Sequence, residues 1–266
     1  MKKWQKFAGG ALAFALLAGV TGQASAGPVV NTWNYEINNG FSSFEPVPGV
    51  VGLDPNATLG TPTRLEWPLS GSDRSSLLVD STQSGFDLVT NGANVAGATL
   101  THNNLPIATR FSNEFLRSGR LSVQIDLASA DPNVSESITL DTFFDFAFLE
   151  TENQGPCGFG SASTCDDIFV LTGNGDLSQD FTYDGQTYTL VFGSEQLSTL
   201  DPAACQQLGL GASCVGFLTP ENASTDFQTF VRIIGPSTVP VPEPGVLALI
   251  GTGLVILGAM RRRRPI

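Results

Sequence analysis

One histidine, His102, is the only imidazole base in a chain of 266 residues. Any Ser-His-Asp arrangement would have to use it, and the Gly-x-Ser-x-Gly elbow of the common acyl-transfer fold is absent from the sequence. It sits in Thr101-His102-Asn103-Asn104. Thr and Asn side chains readily bond nearby backbone, so the expected role is a structural turn at a strand end. Carboxylates offer a second chemistry. Asp141, Asp145 and Glu150 share one segment, and two such groups facing each other could serve glycoside hydrolysis. The 25 acidic residues are spread along the whole chain, however, which reads as a solvated acidic surface. Calcium is the third option. Asp166-Asp167 has Asp176, Asp180 and Asp184 close behind it, and oxygen-rich loops hold extracellular calcium. The stretch Asn174-Gly175-Asp176-Leu177 lacks the twelfth-position Glu of a helix–loop–helix calcium site, so no cofactor is assigned and calcium stays a minor alternative. Trp33, Trp67 and Tyr188 could stack on sugar rings, although Trp in a β-protein more often fills the core.

The four cysteines are spaced for stapling. Cys157 and Cys165 enclose one Gly/Ser-rich loop, and Cys205 and Cys214 enclose another. Of three possible connectivities, the two local pairs are the simplest. Zinc is not expected, because the spacings are not Cys-x-x-Cys and the only His is distant.

The elements that must carry these residues read as strands. Apolar residues at Leu121, Val123, Ile125 and Leu127 follow a period of two. Further strands are expected over 63–67, 76–80, 86–90, 96–102, 120–127, 137–150, 167–171, 179–183, 186–192 and 225–234. Asp184-Gly185 between aromatic, β-branched flanks predicts a type I′ hairpin. Helical turns are expected at 113–118 and at 201–208, where Asp201-Pro202 suits an N-cap followed by a first-turn proline. The fold class is all-β: an antiparallel β-sandwich, jelly-roll-like, with disulfide-pinned loops.

Both ends lie outside that domain. Residues 1–26 read as a signal peptide: Lys2, Lys3 and Lys6, then an apolar stretch over 7–20, then Ala24-Ser25-Ala26 for signal peptidase. The secreted β-sandwich spans 27–234, with an extended linker at 235–240. Pro242-Glu243-Pro244 opens the final segment, 241–266; an uncharged stretch follows, and Arg261, Arg262, Arg263 and Arg264 close it. Such an order predicts a transmembrane helix with a cytoplasmic basic tail. Residues 27–240 retain six arginines, no lysine and 24 acidic residues. So acidic a body repels nucleic acid, and no nucleic-acid partner is expected.

The ending resembles the PEP-CTERM sorting signal, with Pro242, Glu243 and Pro244 as its triplet. The resemblance implies processing by exosortase, an inner-membrane-anchored precursor, and a mature product in the cell envelope or outside the cell, often with exopolysaccharide or biofilm. The body is similar to the THxN family of PEP-CTERM proteins over roughly 60–195. The segments that carry this are Thr101, His102 and Asn104; Leu65-Glu66-Trp67-Pro68 with Ser75-Ser76-Leu77; the Cys157 to Cys165 loop running into Asp166-Asp167; and 181–188. Pro68 departs from the family's Gly. The resemblance implies an exported all-β protein and no activity, so the motif residues carry over as a signature and not as a catalytic set. The expected function is a non-enzymatic surface or matrix protein. The alternative is a lectin-like, calcium-assisted glycan-binding module, with a glycan hydrolase behind it.

Overall fold

A computed structural model describes residues 27–130, 136–173 and 177–236. The signal peptide, most of the linker, the sorting segment with its triplet and arginines, and Asp176 lie outside the described residues.

The described chain forms two seven-stranded sheets. In spatial order the first runs β12 (Ser198–Thr199), β13 (Val215–Thr219), β9 (Asp167–Leu171), β8 (Ser137–Leu149), β7 (Ser118–Ser129), β1 (Thr32–Glu45) and β5 (Thr82–Val89). The second runs β10 (Ser178–Tyr183), β11 (Gln186–Gly193), β14 (Ala223–Ile234), β6 (Val95–Asn104), β4 (Ser75–Val79), β3 (Pro62–Trp67) and β2 (Val51–Pro55). Neighbouring strands within each sheet pair antiparallel. The two sheets face each other, as the all-β sandwich reading requires. Among the described residues no helix is long and apolar enough to cross a membrane.

Alternation sets the register. Val123, Ile125 and Leu127 of β7 point inward at every second position. Asp184 takes the left-handed conformation, φ 47°, with Gly185 at 74°, and the expected hairpin forms between Tyr183 and Gln186. The first strand was not expected. Asn38-Asn39-Gly40 interrupts its apolar pattern and a register shift at Phe41–Ser43 breaks its parity, yet β1 pairs on both edges, with β7 on one side and the edge strand β5 on the other.

The space between the sheets holds two clusters of buried side chains. One surrounds Trp33 and the other surrounds Trp67. Within the second, Phe146, Phe169, Phe217 and Phe227 stack in series at 4.9, 4.7 and 4.5 Å, running from the first sheet to the second. A third cluster lies around a short α-helix, α1 (Pro202–Gln207). Ala204 and Cys205 of α1 pack with Ile168 and Val170 of β9. Asp201 Oδ1 accepts from the Ala203 N–H at 2.8 Å, the expected N-cap. The other expected turn forms slightly earlier, as a 3-10 turn over Thr109–Glu114. Both local disulfides form, Cys157–Cys165 and Cys205–Cys214.

Candidate functional site

A concentration of polar groups lies at one end of the sandwich, built by four strands and a crossing turn. Leu149 pairs with Ile168, so Glu150, one residue beyond β8, falls opposite Asp167 at the start of β9. Thr219, the last residue of β13, pairs with Asp167 from the other side. The chain then crosses from the first sheet to the second through Pro220-Glu221-Asn222, with Asn222 at φ 55°. That crossing turn brings Glu221 between the sheets. From the second sheet β6 contributes Leu100, His102 and Asn104, inward-facing by strand parity, while Thr101 and Asn103 face outward. Carboxylate oxygens of Glu150, Asp167 and Glu221 lie within 4.8 Å of one another.

All of these groups but the half-buried Glu221 are deeply buried. Asp167 is 0% exposed, His102 and Asn104 1%, and Glu150 6%. His102 is therefore no surface turn. It pairs with Thr225 and Leu77 in the middle of its sheet. Its ring stacks on Trp67 at 5.7 Å and meets the edge of Phe148 at 5.1 Å. Nδ1 shares a hydrogen bond with Thr219 Oγ1 at 2.8 Å, and Nε2 points to Asp167 Oδ2 at 3.9 Å. Desolvation lowers the His102 pKa to about 3, so the ring is neutral at ordinary pH. Trp67 donates its indole N–H to Glu150 Oε2 at 2.6 Å.

Burial and mutual repulsion act together on the carboxyls. Desolvation, with Glu221 adding to it, pushes Glu150 up to about 8 against the opposing Trp67 hydrogen bond. Desolvation and then Glu150 push Asp167 well above the usual carboxylate range, although the Thr151 N–H bonds its Oδ1 at 2.8 Å. Glu221 rises to about 7 through desolvation and the nearby Asp166, while Asn104 and Asn153 amides oppose the rise. Two full negative charges at this separation repel by roughly 3 kcal/mol at an effective dielectric constant of about 20. The neighbour Asp166 behaves in the opposite way. Burial pushes it up, but bonds from the Ser163 hydroxyl, the Ala162 and Ser163 amides and Ser161 outweigh that and hold it low. Among the described residues no arginine pairs with Glu150, Asp167 or Glu221.

Several atoms here have no hydrogen-bond partner: Glu150 Oε1, Asp167 Oδ2, Asn104 Oδ1 and His102 Nε2. The loop over 151–166, closed by Cys157–Cys165, covers the cluster. Its Thr151 hydroxyl bonds the Cys165 carbonyl at 2.9 Å, and its Ser163 Oγ accepts from the Glu221 N–H at 3.0 Å. A cleft of about 540 Å³, lined in part by Glu150, Glu152, Gln154 and Arg117, reaches this loop from outside.

Residues 240–264 match the PEP-CTERM protein-sorting motif. No curated protein matches the chain. The motif indicates an exosortase-sorted exported protein, made as a membrane-anchored precursor. It includes Pro242-Glu243-Pro244 and Arg261–Arg264, which lie outside the described residues.

The body of the chain places the other candidate site residues apart. Asp141 accepts from Gln124 at 3.0 Å, and Asp145 holds Arg120 at 2.6 and 2.9 Å, both on the outer face of β8. Only Glu150 of that trio joins the cluster. Of the acidic residues weighed for calcium, Asp167 alone among the described residues belongs to it; Asp180 accepts from Thr189 and Asp184 forms the hairpin turn. Trp33, Trp67 and Tyr188 are all core residues, 0 to 1% exposed, so none can stack on a sugar. Sequence reasoning missed Glu221 and Thr219. The one available signal was the parity of His102 and Asn104, two residues apart on one strand.

Proposed function

We propose that the chain is a non-enzymatic cell-surface or extracellular-matrix protein, delivered by exosortase and retained with exopolysaccharide. The observation that carries this reading is the sorting motif at 240–264, directly behind a β-sandwich that ends at Ile234. Two features of the body support the non-enzymatic part. Asp167 and Glu150 are too enclosed for a sugar ring to pass between them, whereas glycoside hydrolysis needs its two carboxyls on either side of the substrate bond. The acidic surface, and two staples on loops, suit a protein that persists outside the cell.

The aromatic residues best suited to a sugar platform lie in the core, which favours the matrix role over the lectin-like alternative. Mass spectrometry of the mature protein tests the assignment. The expected product begins near Gly27, has lost Arg261–Arg264 and carries both disulfides. Deleting residues 241–266 should abolish envelope sorting. A truncated chain that still localises like the full-length protein refutes the reading.

A further inference from the structure

We propose that Glu150, Asp167 and Glu221, together with the Asn104 side-chain oxygen, hold one calcium ion that locks the two sheets together at this end of the sandwich. Three carboxylates converge within 4.8 Å, two of them buried, and no arginine among the described residues neutralises them. Ionising all three carboxyls here without a counter-charge is costly, so they are neutralised either by protons or by a cation, and a cation does so while leaving them ionised.

The second line of argument comes from groups outside the acidic set. Asn104 Oδ1 and His102 Nε2 are each on residues only 1% exposed, and both lack a partner. Asn104 Nδ2 donates to the Thr219 carbonyl at 3.1 Å, and its amide favours the ionised form of Glu221, so its side chain borders the cluster; Nε2 faces Asp167 Oδ2. Glu150 Oε1 and Asp167 Oδ2 lack partners too, and a native fold ordinarily leaves few such buried atoms. The donors on offer are mainly oxygens from carboxylates and one amide, a hard set that matches calcium. Magnesium demands a tighter octahedron and gives up its waters reluctantly. Thiolate is excluded as a ligand among the described residues, because the four cysteines are paired.

The ligands come from both sheets. Glu150 and Asp167 belong to the first, Asn104 to the second, and Glu221 to the turn between them. A cation here ties the sheets where their strands end and the 151–166 loop closes over. The site is structural, because its two innermost carboxylates are shut away from any large ligand. It does not rest on the exosortase assignment, and either can fail alone.

The full chain, purified in detergent and stripped with EDTA, is titrated with CaCl2 by calorimetry and by thermal melting. One ion per chain is expected to bind with a dissociation constant of about 0.1–1 mM or tighter, and to raise the melting temperature. Glu221→Gln, in the half-buried turn, should weaken binding by about tenfold or more, with the fold checked by circular dichroism. Asp141→Asn, on the exposed face of β8, should leave it unchanged. A measurement on the unaltered protein guards against variants that fail to fold: CaCl2 should slow proteolysis within 151–166 relative to EDTA. No binding up to about 10 mM CaCl2, equal proteolysis in both conditions, or preferential uptake of MgCl2 or ZnCl2 overturns the proposal.

Discussion

Two tryptophans anchor the two halves of this sandwich, and they are partnered in opposite ways. Trp33 is enclosed by Phe181, Tyr183 and Tyr188, all edge-on at 4.9 to 5.7 Å. Its indole N–H donates to Thr90 Oγ1, which donates in turn to the Val30 carbonyl at 2.6 Å. Tyr188 completes the circuit by accepting from the Val30 N–H. The donors and acceptors named here are neutral, and each is used. Trp67 is equally buried and also ring-packed, but its N–H ends on Glu150, beside three further residues with orphaned atoms. A fold that can close one polar circuit fully has the means to close the other. The difference therefore locates where the molecule departs from pure stability and keeps groups ready for something else.

The comparison breaks most visibly under truncation. Trp33→Ala should cost about 3–5 kcal/mol of stability in a urea titration, since it empties the centre of the first cluster. Its effect should be the same in CaCl2 and in EDTA. If the loss depended on calcium, the Trp33 half would be coupled to the carboxylate cluster and the contrast would be false.

The disulfides sharpen the same contrast at a smaller scale. Each closes a loop of similar length, so replacing either pair by serine should cost about 2–3 kcal/mol in the chain-entropy picture. The consequences should then diverge. Cys205–Cys214 fastens α1 against the outer face of β9, and its loss should leave calcium affinity unaltered. Cys157–Cys165 fastens the loop that bonds Asp167 and Glu221, and its loss should weaken calcium binding in calorimetry. Equal calcium affinities in the two double variants would separate the loop from the cluster.

What was legible beforehand follows the range of the forces involved. The Asp184-Gly185 turn, the Asp201 cap and the two staples are decided by residues a few positions apart, and each is where its local chemistry puts it. The long β1 was hidden because Asn38, Asn39 and Gly40 are poor strand formers held in place by pairing on both sides. The cluster was hidden for a stronger reason. Glu150, Asp167 and Glu221 come from three segments whose meeting depends on the register of β8, β9 and β13, and on a turn that changes sheets. Nothing in the local sequence separates Glu221 from other surface acids. Yet Trp67, His102 and Asp167, quoted separately for the THxN resemblance, do meet in space, and Asn104 joins them through Thr219. Asp166 and Asp167 show how fine the distinction is: one step along the strand exchanges a carboxylate saturated with donors for one left short of them.

The mildest pair of changes tests the contrast most directly. Trp33→Phe keeps the ring and removes only an N–H whose acceptor, Thr90 Oγ1, still has Val30 to bond. About 1 kcal/mol should be lost, with no change in calcium affinity. Trp67→Phe removes the donor that fixes Glu150 Oε2. A buried carboxylate oxygen then goes unpaired, and about 1–3 kcal/mol should be lost in EDTA. With calcium present that deficit should shrink, because a bound cation supplies the positive partner the indole no longer provides. Measuring both variants in both conditions gives four stabilities. If calcium rescues neither variant, or rescues both equally, the two tryptophan pockets do not differ in kind.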